Sequence, residues 1–181
     1  MSDPFLSADD RREVLRVAGR EHNLRVFVET GTNDGATALF LINDFDSLHT
    51  IELGRVAAKK ATAMFADEPK VTVYHGDSAV LLGDILDDLQ EPALIWLDAH
   101  YSGGSTAQGP KDTPVIEELE AIFANLHAWG LHVVFIDDAR LFEGMSHYGE
   151  HDWPHVDEVE ALAKANGYSF AVVDDIVRLY P

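Results

Sequence analysis

The sequence predicts an α/β protein in which seven strands form one mostly parallel sheet, with helices on both faces and an antiparallel hairpin at the C-terminus. Short apolar runs alternate with segments of helical periodicity along almost the whole chain, and strands that are separated by helices pair in parallel. The run Ala93–Leu97 is apolar throughout, as expected for a central parallel strand that is covered on both faces. Near the C-terminus, Asp174 and Asp175 separate two strand-like runs without a helix between them, which indicates the hairpin.

Local signals place the individual elements. Ser7 opens a Ser-x-x-Asp helix start, Pro114 suits the first turn of a helix, and Gly167 suits the position after a helix end. The predicted helices cover about residues 7–20, 36–45, 55–65, 81–89, 115–127 and 155–166, and the predicted strands cover 26–29, 49–52, 71–75, 93–97, 132–136, 168–173 and 176–180.

The size and composition of the chain indicate one globular domain over residues 1–181. No apolar run approaches the length of a membrane span, and the N-terminus lacks the basic and apolar regions of a signal peptide. The absence of cysteine excludes disulfides and thiolate chemistry. We therefore expect a soluble, cytoplasmic protein that does not bind membranes.

The charge of the chain argues against a nucleic-acid partner. Thirteen Lys and Arg residues stand against 32 Asp and Glu residues, which gives a formal net charge of −19. Such a surface repels polyphosphate, and no basic stripe offsets it. The acidity fits either adaptation to salt or an ordinary solvated surface.

A tight turn after the first predicted strand is the strongest functional signal. The strand ends in Glu29, and Gly31 and Gly35 open the next helix, so a ligand can come close to bare backbone. About twenty residues later the second strand ends in Glu52, where a carboxylate can accept two ribose hydroxyls. The dinucleotide-binding motif has a glycine at the position that Asn33 occupies here. The carboxylate of Glu29 beside the turn suits a ligand with a cationic amino group better than one with a pyrophosphate.

The motif Glu-x-Gly-x-x-x-Gly resembles the first motif of class I S-adenosylmethionine (SAM) dependent methyltransferases, and the order of elements resembles their Rossmann-like, seven-stranded sheet. The resemblance implies that Asp77 or Ser78, after the third strand, contacts the adenine; Ser78 could equally be the N-cap of the next helix. The candidate SAM-binding residues are Glu29, Thr30, Gly31, Thr32, Gly35, Glu52, Asp77, Ser78 and Asp98.

Acidic residues also follow the fourth and fifth strands, where the carboxyl ends of parallel strands share one edge. Like charges at close range raise one another's pKa, so it costs free energy to keep Asp98, Asp137 and Asp138 all ionised. A divalent cation bound between them would offset this repulsion. Oxygen ligands favour Mg²⁺. This pattern resembles the metal site of catechol O-methyltransferase-like enzymes and of macrocin-type sugar O-methyltransferases. The alternative is that Asp137 or Asp138 caps a loop and pairs with Arg140.

The candidate catalytic residues are His100 and Asp98. His100 could remove the proton of an acceptor hydroxyl, because an imidazole titrates near working pH. The catechol enzymes carry a lysine slightly further along this loop, whereas the first lysine here is Lys111, which argues against a phenolic acceptor. His100 could also serve only as a hydrogen-bonding strut.

Two predicted loops, over residues 101–113 and 139–153, should border the acceptor pocket, the first as a closing lid. We therefore expect a Mg²⁺-assisted O-methyltransferase for a small hydroxylated molecule, a sugar or glycosylated natural product before a catechol-like ring. A homodimer could complete the pocket. The alternatives are a metal-dependent hydrolase and a non-catalytic nucleoside-binding domain. The second loop contributes Arg140, Phe142, His147, Tyr148, His151 and Trp153.

Overall fold

A computed structural model describes residues 5–103, 106–125, 130–143 and 153–181 of the chain. Within these residues the chain forms six α-helices, one 3-10 helix and seven strands that belong to one sheet. The helices are α1 (Ala8–Glu21), α2 (Ala36–Leu41), α3 (Arg55–Met64), α4 (Ser78–Asp88), α5 (Val115–Ala124) and α6 (Val156–Ala165), and the 3-10 helix is Ala139–Glu143. The strands are β1 (Val26–Thr30), β2 (Ser47–Glu52), β3 (Val71–His75), β4 (Ala93–Leu97), β5 (Val133–Ile136), β6 (Ser169–Val173) and β7 (Ile176–Tyr180).

The strand order is β3-β2-β1-β4-β5-β7-β6, which confirms the predicted fold class. Strands β1 to β5 pair in parallel, and β7 pairs antiparallel with both β5 and β6. The chain winds outward from β1 to β3 and then returns to β4, beside β1. A ligand crevice is expected at this switch in direction.

The register of the strands aligns their carboxyl ends. Thr30 at the end of β1 lies opposite Ile51 of β2 and Leu97 of β4, and Leu97 lies opposite Ile136 of β5. The residues that follow these strands therefore emerge along one rim of the sheet. This shared rim is the geometric basis of the site described below.

Both faces of the sheet are buried, so the central strands are apolar along their whole length. Alternate side chains of β4 show the division: Ile95 packs on the face covered by α4, α5 and α6, whereas Trp96 packs on the face covered by α1, α2 and α3. None of the described helices combines the length and apolarity that a membrane crossing needs.

The predicted start of α1 is present, because the hydroxyl of Ser7 accepts the amide N–H of Asp10. Other helix boundaries differ from the sequence prediction for local reasons. Helix α4 begins at Ser78 rather than near residue 81, because Asp77 caps it and starts the helix early. Helix α2 ends at Leu41, and Pro114 lies at the N-cap position of α5 rather than inside its first turn. Helix α5 ends at Ala124 with Asn125 as its C-cap, so the predicted helix to His127 is too long at Asn125, and residues 126 and 127 lie outside the described residues.

Candidate functional site

A pocket of about 390 Å³ opens at the carboxyl ends of the parallel strands. This volume lies within the range of small-molecule sites. The loop that follows β4 forms one wall, and the backbone N–H of Tyr101 closes that loop by donating to the carbonyl of Asp112 over 2.7 Å. Of the residues predicted from the sequence, those that line this pocket are Gly31, Glu52, Asp77, Ser78, Asp98 and His100.

The turn after β1 is built from left-handed backbone. Gly31, Asn33 and Gly35 have φ angles of 85°, 50° and 79°. The backbone therefore folds back within five residues, and the amide N–H of Gly35 donates to the carbonyl of Thr32 over 2.8 Å. Gly31 exposes bare backbone to the pocket, as the sequence motif predicts.

Glu52 is fixed at the end of β2 by two backbone amides. Its Oε2 accepts the N–H of Asn33 and its Oε1 accepts the N–H of Gly54, each over 2.7 Å. Each carboxylate oxygen retains a second acceptor site, and the side chain lines the pocket. This preorganised carboxylate is therefore suited to accept two neighbouring hydroxyl groups from a ligand.

Glu29 lies behind the wall of the pocket and is not among the residues that line it. Its side chain is 2% exposed, and its Oε1 accepts the Thr50 hydroxyl over 2.7 Å. Burial is the main reason that the pKa of Glu29 is raised to about 8. Direct contact between Glu29 and a ligand remains a prediction, and Thr30 and Thr32 are likewise buried behind the wall.

The substitution Glu29→Gln should stabilise the protein at alkaline pH. Because folding raises the pKa of Glu29 from 4.5 to about 8, the penalty for its ionisation grows as pH rises between these values. Glutamine carries no charge and keeps an oxygen for the Thr50 hydroxyl. Urea denaturation should show near-equal unfolding free energies at about pH 4 and an advantage for the variant on the order of a few kcal/mol at about pH 8.

Glu68→Gln is the matched control, because it removes the same charge from an exposed position. Its unfolding free energy should follow the wild-type pH dependence. Equal curves for wild type and Glu29→Gln would contradict the assigned burial penalty.

Asp77 and Ser78 begin helix α4 at the edge of the pocket. The Asp77 carboxylate accepts the N–H of Ala79 over 3.0 Å and is the N-cap, so Ser78 is not the cap. Ser78 is buried in the first helical turn while still lining the pocket. The contact of either residue with an adenine remains a prediction.

Asp98 and His100 lie together after β4. The Nδ1 of His100 is 3.5 Å from Asp98 Oδ1, and its Nε2 is 3.4 Å from Asp138 Oδ2. Burial, reinforced by the charge of Asp138, raises the pKa of Asp98 to about 8, whereas burial lowers the pKa of His100. Near neutral pH the lowered pKa leaves the His100 imidazole free to accept a proton, whereas the raised pKa of Asp98 keeps most of its carboxyl group protonated.

Helix α5 adds a buried carboxyl group that the sequence analysis missed. Glu118 is 1% exposed and borders a small cavity that Asp98, His100 and Trp153 also line. Burial raises the pKa of Glu118 to about 7, and the hydroxyls of Ser78 and Thr30 partly oppose this shift. In the sequence, Glu118 lies on the apolar face of α5 with Leu119 and Ile122, and this position indicates a buried carboxyl group.

The carboxylates predicted to bind a metal face arginines instead. Asp137 pairs with Arg11, and Asp138 Oδ1 lies 3.0 Å from Arg11 and 2.7 Å from Arg140. Despite the opposing effect of burial, the charges of His100, Arg140 and Arg11 keep the pKa of Asp138 below its ordinary value. In the part of the chain that the structure describes, no group of three or more His, Cys, Asp or Glu residues could hold a metal ion. The predicted set of Asp98, Asp137 and Asp138 therefore does not fit Mg²⁺ in this arrangement, and the alternative pairing with Arg140 is present.

The second predicted loop begins as the 3-10 helix, in which Phe142 is buried and packs edge-on against Trp153 at 5.2 Å between ring centroids. Trp153 also lies 5.5 Å from the ring of His100. These two aromatic residues therefore form a wall beside the His100 imidazole. The predicted acceptor-pocket residues His147, Tyr148 and His151 lie outside the described residues.

No protein-family model matches the chain, and no curated protein matches it. Solved structures do. A candidate caffeoyl-CoA O-methyltransferase from Staphylococcus aureus is 19% identical, with a TM-score of 0.68 over 97% of this chain and 85% of that one. The O-methyltransferase TomG from Streptomyces achromogenes, solved with SAM, is 20% identical, with a TM-score of 0.64 over 99% and 82%. An O-methyltransferase from Bacillus cereus, solved with S-adenosylhomocysteine (SAH), is 16% identical, with a TM-score of 0.65 over 97% and 82%. The chain therefore has the fold of class I SAM-dependent methyltransferases.

Proposed function

We propose that this protein is a SAM-dependent O-methyltransferase that acts on a small hydroxylated molecule. The observation that carries the proposal is the fixed carboxylate of Glu52, which faces a pocket of about 390 Å³ at the switch point of a methyltransferase fold. The structures of similar fold include O-methyltransferases solved with SAM or SAH.

The pocket matches the chemistry of an adenosyl group. Glu52 would accept the two ribose hydroxyls, and the turn at Gly31 would let the amino-acid end of the cofactor approach the backbone. Asp77 and Ser78, which also line the pocket, would face the adenine. Glu52 and Asp98 both line the pocket, and the ammonium and sulfonium groups of the ligand would lower the pKa of Asp98 and pair with its carboxylate.

SAM supplies a methyl group on a positively charged sulfur. The acceptor oxygen, in line with the methyl carbon and the sulfur, would form the new C–O bond while the C–S bond breaks and SAH leaves. The hydroxyl proton would pass to His100, which lies beside Asp98 next to the pocket. A protonated His100 would be stabilised by the carboxylate of Asp138 and would in turn favour ionisation of Asp98.

A sugar or glycosylated natural product remains the first choice of acceptor, and a catechol-like ring is second. Trp153 lies beside His100 and borders the small cavity next to the pocket, and its indole would be the aromatic contact for either ring. The loop after β4 carries no lysine before Lys111, which keeps the sugar ahead of the phenol. Magnesium assistance, expected from the sequence, is not part of this proposal, because Asp137 and Asp138 face arginines, and no step above uses the metal.

Calorimetric titration with SAH tests the proposal. We expect saturable binding of one SAH per chain, and an acceptor screen with methyl-labelled SAM should then show transfer to a hydroxylated compound. Absence of SAH binding, with and without Mg²⁺, would end the proposal. Binding without transfer to any acceptor would favour the non-catalytic nucleoside-binding alternative, and hydrolysis that depends on Asp98 and His100 would favour the hydrolase.

A further inference from the structure

Five charged residues form a compact cluster at the end of β5, here called the rim cluster: Arg11, Asp137, Asp138, Arg140 and Asp175. Arg11 comes from α1 and contacts all three carboxylates, with its NH2 group 3.1 Å from Asp175 Oδ2. Arg140 pairs with both Asp138 and Asp175. The Asp175 side chain is 3% exposed and that of Arg11 is 13% exposed, so these ion pairs are largely shielded from water.

The backbone fixes the carboxylates of the rim cluster in place. Asp138 and Asp175 adopt positive φ angles of 54° and 66°, which turn the chain back on itself at both positions. Asp175 accepts two backbone N–H groups. Its Oδ1 accepts the N–H of Arg140 and its backbone carbonyl accepts the N–H of Ala139, each over 2.9 Å. Asp137 Oδ1 accepts the N–H of Asp138 over 2.8 Å. Three parts of the chain are therefore tied together around the two guanidinium groups.

The rim cluster also reaches the candidate base. Asp138 presents its Oδ1 to the two arginines and its Oδ2 to Nε2 of His100, at 3.4 Å. Two positive charges thus hold one oxygen of Asp138 and leave the other directed at the imidazole. In the metal-dependent enzymes that the sequence resembles, a cation would occupy this end of the fifth strand.

A divalent cation would compete with the arginines for the same oxygens. Mg²⁺ needs ionised carboxylates at about 2.0–2.1 Å in octahedral geometry. To bind Asp137 and Asp138, it would have to displace Arg11 and Arg140, whose charges would then be left uncompensated in a partly buried place.

We propose that Arg11 and Arg140 take the place of a divalent cation in this protein, as the positive charges that hold Asp138 against His100. The arginines are positioning residues, since they act through Asp138. A consequence, which rests on the function proposed above, is that methyl transfer is independent of divalent metal. The claim about metal binding does not depend on that function.

Calorimetric titration of MgCl₂ into the wild-type protein and the double variant Arg11→Gln/Arg140→Gln tests the claim about metal binding. We expect no saturable heat with wild type, whereas the double variant should gain saturable Mg²⁺ binding, because the carboxylates of the rim cluster lose both guanidinium groups. The double variant Arg11→Lys/Arg140→Lys keeps both charges and should bind no Mg²⁺, as the wild type does. Arg25→Gln is the matched control, because its exposed ion pairs with Asp46 and Glu91 lie on another part of the chain, and it should gain nothing.

Two results would overturn the proposal in calorimetry. One is saturable binding of one Mg²⁺ by wild type that Asp138→Asn removes, and the other is failure of a folded Arg11→Gln/Arg140→Gln variant to bind Mg²⁺. SAH titration of the same samples separates this question from the proposed function, since neither arginine lines the pocket and their replacement should leave SAH affinity unchanged. If the acceptor screen finds turnover, chelator should not change its rate, and loss of turnover in chelator would also overturn the proposal.

Discussion

Replacing Glu52 by glutamine should weaken SAH binding by about 100-fold, which corresponds to about 3 kcal/mol. In the wild type each carboxylate oxygen accepts one backbone N–H and keeps room for a ribose hydroxyl. Hydrogen bonds to a charged group are worth about 1.5–3 kcal/mol each, and the variant loses the charge that strengthens two of them. Its amide NH₂ would in addition face the N–H of Asn33 or Gly54, donor against donor.

Calorimetry gives the affinity, and a parallel thermal melt shows whether the variant remains folded. Glu68→Gln, at an exposed position on the loop after α3, removes an equal charge and should bind SAH as the wild type does. If a folded Glu52→Gln variant binds SAH within about threefold of wild type, Glu52 does not belong to the site. A threefold change corresponds to only about 0.7 kcal/mol, which is less than one hydrogen bond to a charged group contributes.

The shared rim of the sheet could be predicted because its cause is local and repetitive. An apolar run in the sequence indicates each parallel strand, and the polar residue at the end of that run must lie at the carboxyl end of the strand. Gly31 and Asp98 follow β1 and β4, Glu52 is the last residue of β2, and the register of the strands brings all three to one pocket.

The partners of the acidic residues could not be predicted in the same way. Arg11 lies 127 positions before Asp138 and 164 before Asp175, and no periodic pattern encodes a contact over such distances. The Asp-Asp pair after β5 therefore indicated a metal, although Arg140, only two residues beyond Asp138, provided the competing explanation.

Local ambiguity accounts for a second kind of difference. Asp77 and Ser78 are both good N-caps by residue type. The backbone decides between them: Asp77 is extended, with φ −76° and ψ 124°, and its carboxylate accepts the N–H of Ala79. Sequence alone identifies the helix start to within a residue, but the roles of the two side chains depend on that one residue.

Replacing Gly31 by alanine should lower the free energy of unfolding by about 3 kcal/mol or more and abolish SAH binding. An added Cβ would lie 2.5 Å from the carbonyl oxygen of Asp98 and 3.2 Å from Cα of Ala99, so the backbone after β4 would have to move. Left-handed backbone costs a non-glycine residue about 1–2 kcal/mol, and forcing atoms into a filled space typically costs a further 1–3 kcal/mol. The displaced segment carries Asp98 and His100, which line the pocket, so binding should fail together with stability.

Gly167→Ala provides the control that separates these two costs. Gly167 has the same φ of 85° as Gly31, but a Cβ at this position would meet nothing within 4 Å. Urea denaturation should therefore show a loss of about 1–2 kcal/mol for Gly167→Ala, from backbone strain alone, and unchanged SAH affinity. Equal losses of stability in the two variants would mean that the close approach of Gly31 to Asp98 contributes nothing, and the turn after β1 would then not fix the position of the end of β4.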